Sequence, residues 1–379
     1  MALGILTSGG DSPGMNAAIR ALFRAAKMRD PSQEIIFFRD GFRGLAGKLD
    51  SSTDRNVDRS AVRDIIHRGG TFLGSGRVPQ LKLPGPDAPD FEARKHDQQN
   101  FLRVAAANLY QLGVDELIVI GGDGSYRGAA TIAAWYRDSF PERRFRVIGL
   151  PGTIDNDVWG SEFSIGYDTA LNNIVDALRK LRDTVDSHQR AIILEVMGNT
   201  SGWLALEAAI AGGAAVVSIP EVPETWDHDR IIERLRAGVR RSYRYFLVVV
   251  AEGVLKRAGA DWSNELRRRI ESDPNIHDTD GEPMDVRINS VGHIARGGQP
   301  SGFDNMIATR LGAAAAELAQ LGTLDGVEYA QDVALGTKGV GVVVTPLSDV
   351  SARSPRLVTV DHPLFHLAEQ MMLQAHQPF

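Results

Sequence analysis

The sequence predicts an α/β protein with mainly parallel sheets and enough chain for two domains. Strand-like apolar runs alternate with helical patterns along its length, the order that builds a parallel sheet. Several of these runs are apolar on both alternations, which suits strands covered by helices on both faces. At 379 residues the chain exceeds what one hydrophobic core usually organises.

In order, the strand-like runs are Leu3 to Leu6, Glu34 to Phe38, Leu117 to Ile120, Val147 to Leu150, Ala191 to Val196, Ala214 to Ile219, Tyr245 to Ala251 and Gly339 to Thr345. Their shortness reads as strand rather than helix. Between the fourth and fifth, Ala170 to Arg182 carries Ile174, Leu178 and Leu181 at helical spacing and predicts a core-facing helix. Leu83 to Gln99 holds Pro84, Pro86 and Pro89 among charged residues. That stretch and Glu271 to Asp285 are expected to be surface loops.

Composition removes several classes of chemistry. The chain has no cysteine, which excludes disulfides, thiolate nucleophiles and cysteine zinc sites. A net charge of -6 argues against general nucleic-acid binding but allows arginines to cluster around an anion. The first residues, Met1-Ala2-Leu3-Gly4-Ile5-Leu6-Thr7, run straight into a strand pattern, and no window approaches membrane-spanning length. The expectation is a cytoplasmic enzyme with neither membrane nor nucleic-acid partners.

Three of the runs end in acidic, glycine-punctuated segments: Gly9-Gly10-Asp11-Ser12-Pro13-Gly14-Met15-Asn16, Gly121-Gly122-Asp123-Gly124-Ser125 and Pro151-Gly152-Thr153-Ile154-Asp155-Asn156-Asp157. Ligands of open α/β sheets bind at the carboxyl ends of strands. There glycines let backbone amides approach phosphate oxygens, the next helix offers its positive end, and aspartates hold a divalent cation or accept a proton. Together these features predict phosphoryl transfer. Asp123, between two glycines, is the candidate metal ligand. Asp155 or Asp157 could take the proton of an attacking hydroxyl. Thr153 can donate to the transferring group, and the amides near Gly10 and Gly124 can face developing charge. Taken singly, such a loop is as often a simple turn, Arg190 reads as a surface residue and His293 as a structural imidazole.

With Met197-Gly198, Ile219-Pro220-Glu221 and Gly292-His293-Ile294-Ala295-Arg296-Gly297-Gly298 added, the chain resembles 6-phosphofructokinases, motif after motif in the family's order. The resemblance implies two doubly wound domains with the active site in the cleft between them. A nucleotide-binding domain would cover 1–166 and 295–345, and a sugar-phosphate-binding domain 167–294 and 346–379. It implies phosphorylation of fructose 6-phosphate by ATP with Mg2+ held by Asp123. Asp155 becomes the catalytic base, assisted by Thr153 and Arg77. Gly10, Arg77, Val78, Gly122, Asp123, Gly124 and Ser125 become the nucleotide site. The sugar-phosphate site becomes Thr153, Asp155, Asp157, Arg190, Met197, Gly198, Glu252, Arg287, His293 and Arg296. Within it, Arg190, Arg287 and His293 are expected on the 6-phosphate, and Arg296 and Glu252 on the sugar. Arg190 and Arg287 would reach in from a neighbouring subunit, so a homo-oligomer is implied, a dimer at least and a tetramer by expectation.

Donor choice rests on two glycines. Pyrophosphate users of the family typically have aspartate where Gly124 stands and lysine where Gly152 stands. An aspartate there would crowd and repel the α-phosphate of ATP, so ATP is the expected donor, with pyrophosphate as the alternative because Arg39-Asp40-Gly41-Phe42-Arg43-Gly44 resembles the branch that mixes both. Two departures stand out. Asn199 follows Met197-Gly198 where the family usually has arginine. Arg20, Arg24, Arg59 and Arg182 match effector-binding arginines, but Ala215 replaces an acidic metal-binding position and Tyr243 and Tyr245 replace basic ones, which argues against regulation by a magnesium-bound nucleoside diphosphate. A dinucleotide-dependent oxidoreductase is disfavoured because no Gly-x-Gly-x-x-Gly opens the first helix. Asp123 and Asp155 argue against a catalytically silent sensor.

Overall fold

A computed structural model describes residues 2–55 and 57–375. Its described residues divide into two compact units: one holds 2–55, 57–153, Asp157–Asp168 and Arg296–Pro355, and the other holds Ile154–Asn156, Thr169–Ala295 and 356–375. Residues 346–355, grouped with the sugar-phosphate half on sequence, belong to the first unit.

The strands are β1 (Ala2–Thr7), β2 (Glu34–Phe38), β3 (Thr53–Asp54), β4 (Val114–Gly121), β5 (Arg146–Pro151), β6 (Ala191–Val196), β7 (Val216–Ser218), β8 (Phe246–Ala251), β9 (Val286–Ser290), β10 (Thr323–Leu324), β11 (Val327–Glu328), β12 (Val333–Lys338) and β13 (Gly341–Pro346). In the first unit they form a sheet in the order β13-β12-β5-β4-β1-β2-β3. It is parallel from β12 to β2 and antiparallel at both margins.

The double alternation of apolar residues explains the layering. Leu3, Ile5, Ile118, Ile120, Ile148 and Leu150 share one core with the helices Met15–Arg29 and Gly302–Leu321. Ala2, Leu6, Leu117, Val119 and Val147 share the opposite core with the helices Phe91–Gln111 and Asp123–Ser139. A β-carbon on Gly312 would lie 2.3 Å from the Ala18 carbonyl oxygen, so glycine there permits the close approach of the first helix pair.

The second unit carries the parallel sheet β7-β8-β6-β9. Ala191, Ile193, Val216, Phe246, Val248 and Val250 pack with the helices His228–Arg240 and Trp262–Ser272. Leu373 joins the same unit: it is buried in that core and its amide donates to the Ala215 carbonyl.

Three expectations change. The expected loop over 83–99 is helix from Phe91 onward, because its prolines all precede that residue and Leu102, Ala105, Ala106 and Leu109 give the helix a buried face. The helix expected over 170–182 spans Tyr167–His188. β9, β12 and the two-residue strands β3, β10 and β11 were not expected from the sequence; β9 is a largely exposed strand, Val-Arg-Ile-Asn-Ser, with no continuous apolar run.

Candidate active site

In the first unit β1 and β4 are neighbours, with β2 beyond one and β5 beyond the other. That reversal is a switch point, where loops at strand carboxyl ends diverge and open a crevice. The loops after β1, β4 and β5 meet there. The Ser8 amide donates to the Ile120 carbonyl (2.9 Å) and the Gly152 amide to the Gly121 carbonyl (3.0 Å). A β-carbon on Gly122 would stand 3.7 Å from Thr153 Cβ. The Gly74-Ser75-Gly76-Arg77 loop is tied to the same edge, since Thr7 Oγ1 donates to the Gly74 carbonyl (2.7 Å) and Ser75 Oγ to the Gly9 carbonyl (2.8 Å). Gly10, Gly122, Asp123, Gly124, Ser125 and Thr153 are thus gathered, and the exposed Arg77, followed by Val78, leaves from the same place.

Asp123 is the first residue of its helix. Its Oδ1 accepts the Gly124 amide (2.5 Å) and its Oδ2 faces the Arg127 guanidinium (2.8 Å). Arg296 lies on the first loop, with Nη1 donating to the Asp11 carbonyl (3.1 Å); a β-carbon on Gly10 would come within 2.8 Å of that nitrogen. The two donor-site glycines differ in their surroundings. A β-carbon on Gly124 would meet nothing within 4 Å, whereas one on Gly152 would lie 2.9 Å from both Ile120 Cγ2 and Met15 Cε.

Thr153, Asp155 and Asp157 are buried, at 8%, 8% and 6% exposure, and Asn156 between the aspartates takes a left-handed φ of 51°. In the second unit this turn is held by its carbonyls. Ser201 Oγ donates to the Asp155 oxygen (3.0 Å) and Arg356 Nη2 to the Asn156 oxygen (2.9 Å).

Met197 and Gly198 follow β6, Glu252 follows β8 and the exposed His293 follows β9, so all four stand at one end of that sheet. Glu252 Oε1 accepts the amides of Gly198 (3.3 Å) and Asn199 (2.6 Å). Gly198 has φ 149° and Asn199 φ 54°, so the loop turns sharply onto the carboxylate. Arg190 and Arg287 lie at the opposite end, where β6 and β9 begin, and both contact Asp285 Oδ2, at 2.6 and 3.0 Å.

A family model described as phosphofructokinase matches residues 2–319. The chain belongs to the phosphofructokinase family. It is 43% identical to an ATP-dependent 6-phosphofructokinase of Macrococcus caseolyticus, over 83% of this chain and 85% of that one. It is 37% identical to the Listeria monocytogenes protein of the same name, over 97% and 98%. Phosphofructokinase from Saccharomyces cerevisiae superposes with a TM-score of 0.76 at 28% identity, covering 93% of this chain, which spans only 44% of the yeast chain. A pyrophosphate-dependent phosphofructokinase from Marinobacter aquaeolei has a TM-score of 0.75 at 18% identity, covering 100% and 94%, a likeness of fold. Family membership removes the oxidoreductase reading. Among the described residues no helix is long and apolar enough to cross a membrane.

Within this phosphofructokinase-family chain, two residues near the site were not foreseen. Lys256 Nζ lies 3.1 Å from Asn199 Oδ1 and 3.5 Å from Glu252 Oε2, so a cation stands beside the position where arginine is missing. The signal was a lysine four residues after a site glutamate on one helix. Arg356 carried no sequence signal, because its link to Asn156 spans two hundred residues. At the expected effector positions, the Arg182 guanidinium donates to the carbonyls of Gly212 and Gly213. Ala215 exchanges backbone hydrogen bonds with Leu247 and Leu373.

Proposed function

We propose that the chain transfers the γ-phosphoryl group of ATP to the 1-hydroxyl of fructose 6-phosphate, giving fructose 1,6-bisphosphate and ADP, a cytoplasmic step of glycolysis. The observation that carries this reading is the meeting of three glycine-rich acidic loops at one switch point, in a chain whose relatives are named ATP-dependent 6-phosphofructokinases.

In this reading the backbone amides around Gly10 and Gly124, the start of the helix Asp123–Ser139 and Arg77 hold the nucleotide phosphates. Asp155 takes the proton of the sugar 1-hydroxyl as its oxygen bonds to the γ-phosphorus and the bond to the bridging oxygen of ADP breaks. Thr153 and Arg296 orient the reacting groups. Met197, Gly198, Glu252 and His293 receive the sugar phosphate, with Asp157 beside the base in sequence. The donor set suits magnesium, which takes one or two carboxylates and fills its remaining positions with water and substrate phosphate. Asp123 offers one such carboxylate at a helix start, and among the described residues no group of three or more His, Cys, Asp or Glu forms a protein cage. When bound there, the ion would neutralise charge on the β- and γ-phosphates.

ATP is favoured over pyrophosphate because Gly124 leaves open space and the sequence has no lysine at Gly152, where a side chain would press on Met15 and Ile120. The test is a steady-state assay with fructose 6-phosphate and magnesium, offering each donor to the wild type and to Gly124→Asp. The wild type should give the higher kcat/KM with ATP. Gly124→Asp should depress ATP use far more than pyrophosphate use. A wild type that prefers pyrophosphate refutes the donor assignment, and no transfer from either donor refutes the reading as a whole.

A further inference from the structure

We infer that Arg356 is a positioning residue for the catalytic turn, holding Asp155 in line through its grip on the adjacent Asn156. The inference rests on the reading of Asp155 as general base. Arg356 lies beyond residues 2–319, which the family model matches. Its Nη2 donates to the Asn156 carbonyl at 2.9 Å, and its guanidinium carbon lies 4.6 Å from the Trp203 ring centroid. Its own carbonyl accepts the Trp203 indole N–H at 2.9 Å, so one residue is joined to Trp203 from both side chain and backbone.

Trp203 is a firm base for this. It is buried, at 2% exposure, and opens the helix Trp203–Gly212. His362 packs edge-on against the indole, with ring centroids 4.8 Å apart. Two residues past Arg356, the Val358 amide donates to Glu221 Oε1 at 3.1 Å, and the same oxygen accepts the Gly202 amide at 2.8 Å. The strand of chain carrying Arg356 is therefore tied to the start of that helix at three points.

The turn needs such support. Asn156 has a left-handed φ of 51°, a region few L-residues use but asparagine tolerates, so the contacts on its carbonyl and the one before it set how firmly the turn is held. Ser201 fixes the carbonyl before it, and Arg356 fixes its own with a charge-assisted bond, about twice as strong as a neutral one. Near-attack geometry tolerates little drift, since a misplacement of about 1 Å can cost on the order of a hundredfold in rate.

The test compares Arg356→Met, Arg356→Lys, Asp155→Asn and Arg234→Met. Arg234 pairs with Glu369 at 3.1 Å, so its loss loosens the same chain end without touching the turn. Arg356→Met should lower kcat by roughly a hundredfold with little change in KM for ATP. Arg356→Lys should recover part of kcat through one remaining donor, and it carries the test if the methionine variant does not fold. Arg234→Met should lower the melting temperature but not kcat. An Arg356→Met or folded Arg356→Lys enzyme with wild-type kcat, beside an inactive Asp155→Asn, overturns the inference alone. Equal losses of kcat in Arg356→Met and Arg234→Met also overturn it. An active Asp155→Asn removes the base reading and the inference with it.

Discussion

Glu252 turns its carboxylate onto the amides of Gly198 and Asn199, and one helical turn later Lys256 returns to the same loop. A glutamate followed by lysine four residues on is the favourable order along a helix. Here the pair also balances charge: a carboxylate alone would oppose an incoming sugar phosphate, and Lys256 offsets it where Asn199 brings only a neutral amide. Lys256→Met should therefore raise KM for fructose 6-phosphate by about tenfold, the loss of one modest charged hydrogen bond, and leave KM for ATP near its original value. Steady-state kinetics with each substrate varied in turn checks this. Equal rises in both constants would show general damage to the fold. The missing arginine at 199 was legible in the sequence. Its neighbour Lys256 was marked only by its spacing from Glu252, and its reach to the loop depends on the φ values of Gly198 and Asn199, which bend the loop back onto that helix.

Elements with two apolar alternations, such as β1, β4, β5 and β8, were legible because burial on both faces leaves a continuous hydrophobic run. β9 was not, since its residues are largely exposed, and the helix Phe91–Gln111 was hidden by prolines that end just before it. Also unread was the ionic link that joins β4 to β5. Glu116 and Arg146 are register partners, 2.8 Å apart and almost fully buried at 2% and 1% side-chain exposure. Arg146 also donates to the Leu318 carbonyl (2.7 Å) and to that of Tyr329. Burial pushes the Glu116 carboxyl up to about 7, from an ordinary value of 4.5, even though Arg146 acts in the other direction. A raised folded-state value means that the native protein keeps this proton while the unfolded chain has lost it, so the Glu116 contribution is full below about 4.5 and falls as pH rises to about 7. Urea unfolding of the wild type and Glu116→Gln at several pH values measures it. The stability difference between the two should change across that window; a constant difference would show that Glu116 does not titrate there.

At the scale of the whole molecule, the sheet of the second unit separates the residues expected on one ligand. Met197, Glu252 and His293 follow the carboxyl ends of β6, β8 and β9, while Arg190 and Arg287 stand where β6 and β9 begin. Seven residues of extended chain from Arg190 to Met197 span about 23 Å, too far for one fructose 6-phosphate to touch both within one copy. The two arginines converge instead on Asp285, which keeps them side by side at the surface as a paired cationic group. A second copy presenting that pair to the first copy's His293 would complete the anion site, and a closed symmetric assembly would do this reciprocally. Arg190→Ser and Asp155→Asn should each be nearly inactive alone. Mixed and allowed to exchange subunits, they should regain activity, because some sites in the hybrid would combine an intact Asp155 from one copy with an intact Arg190 from the other. Activity of the mixture, measured beside mass analysis that proves hybrids form, decides the matter. Proven hybrids without recovered activity would confine each site to a single chain, and Arg190 would then have to act on something other than the sugar phosphate.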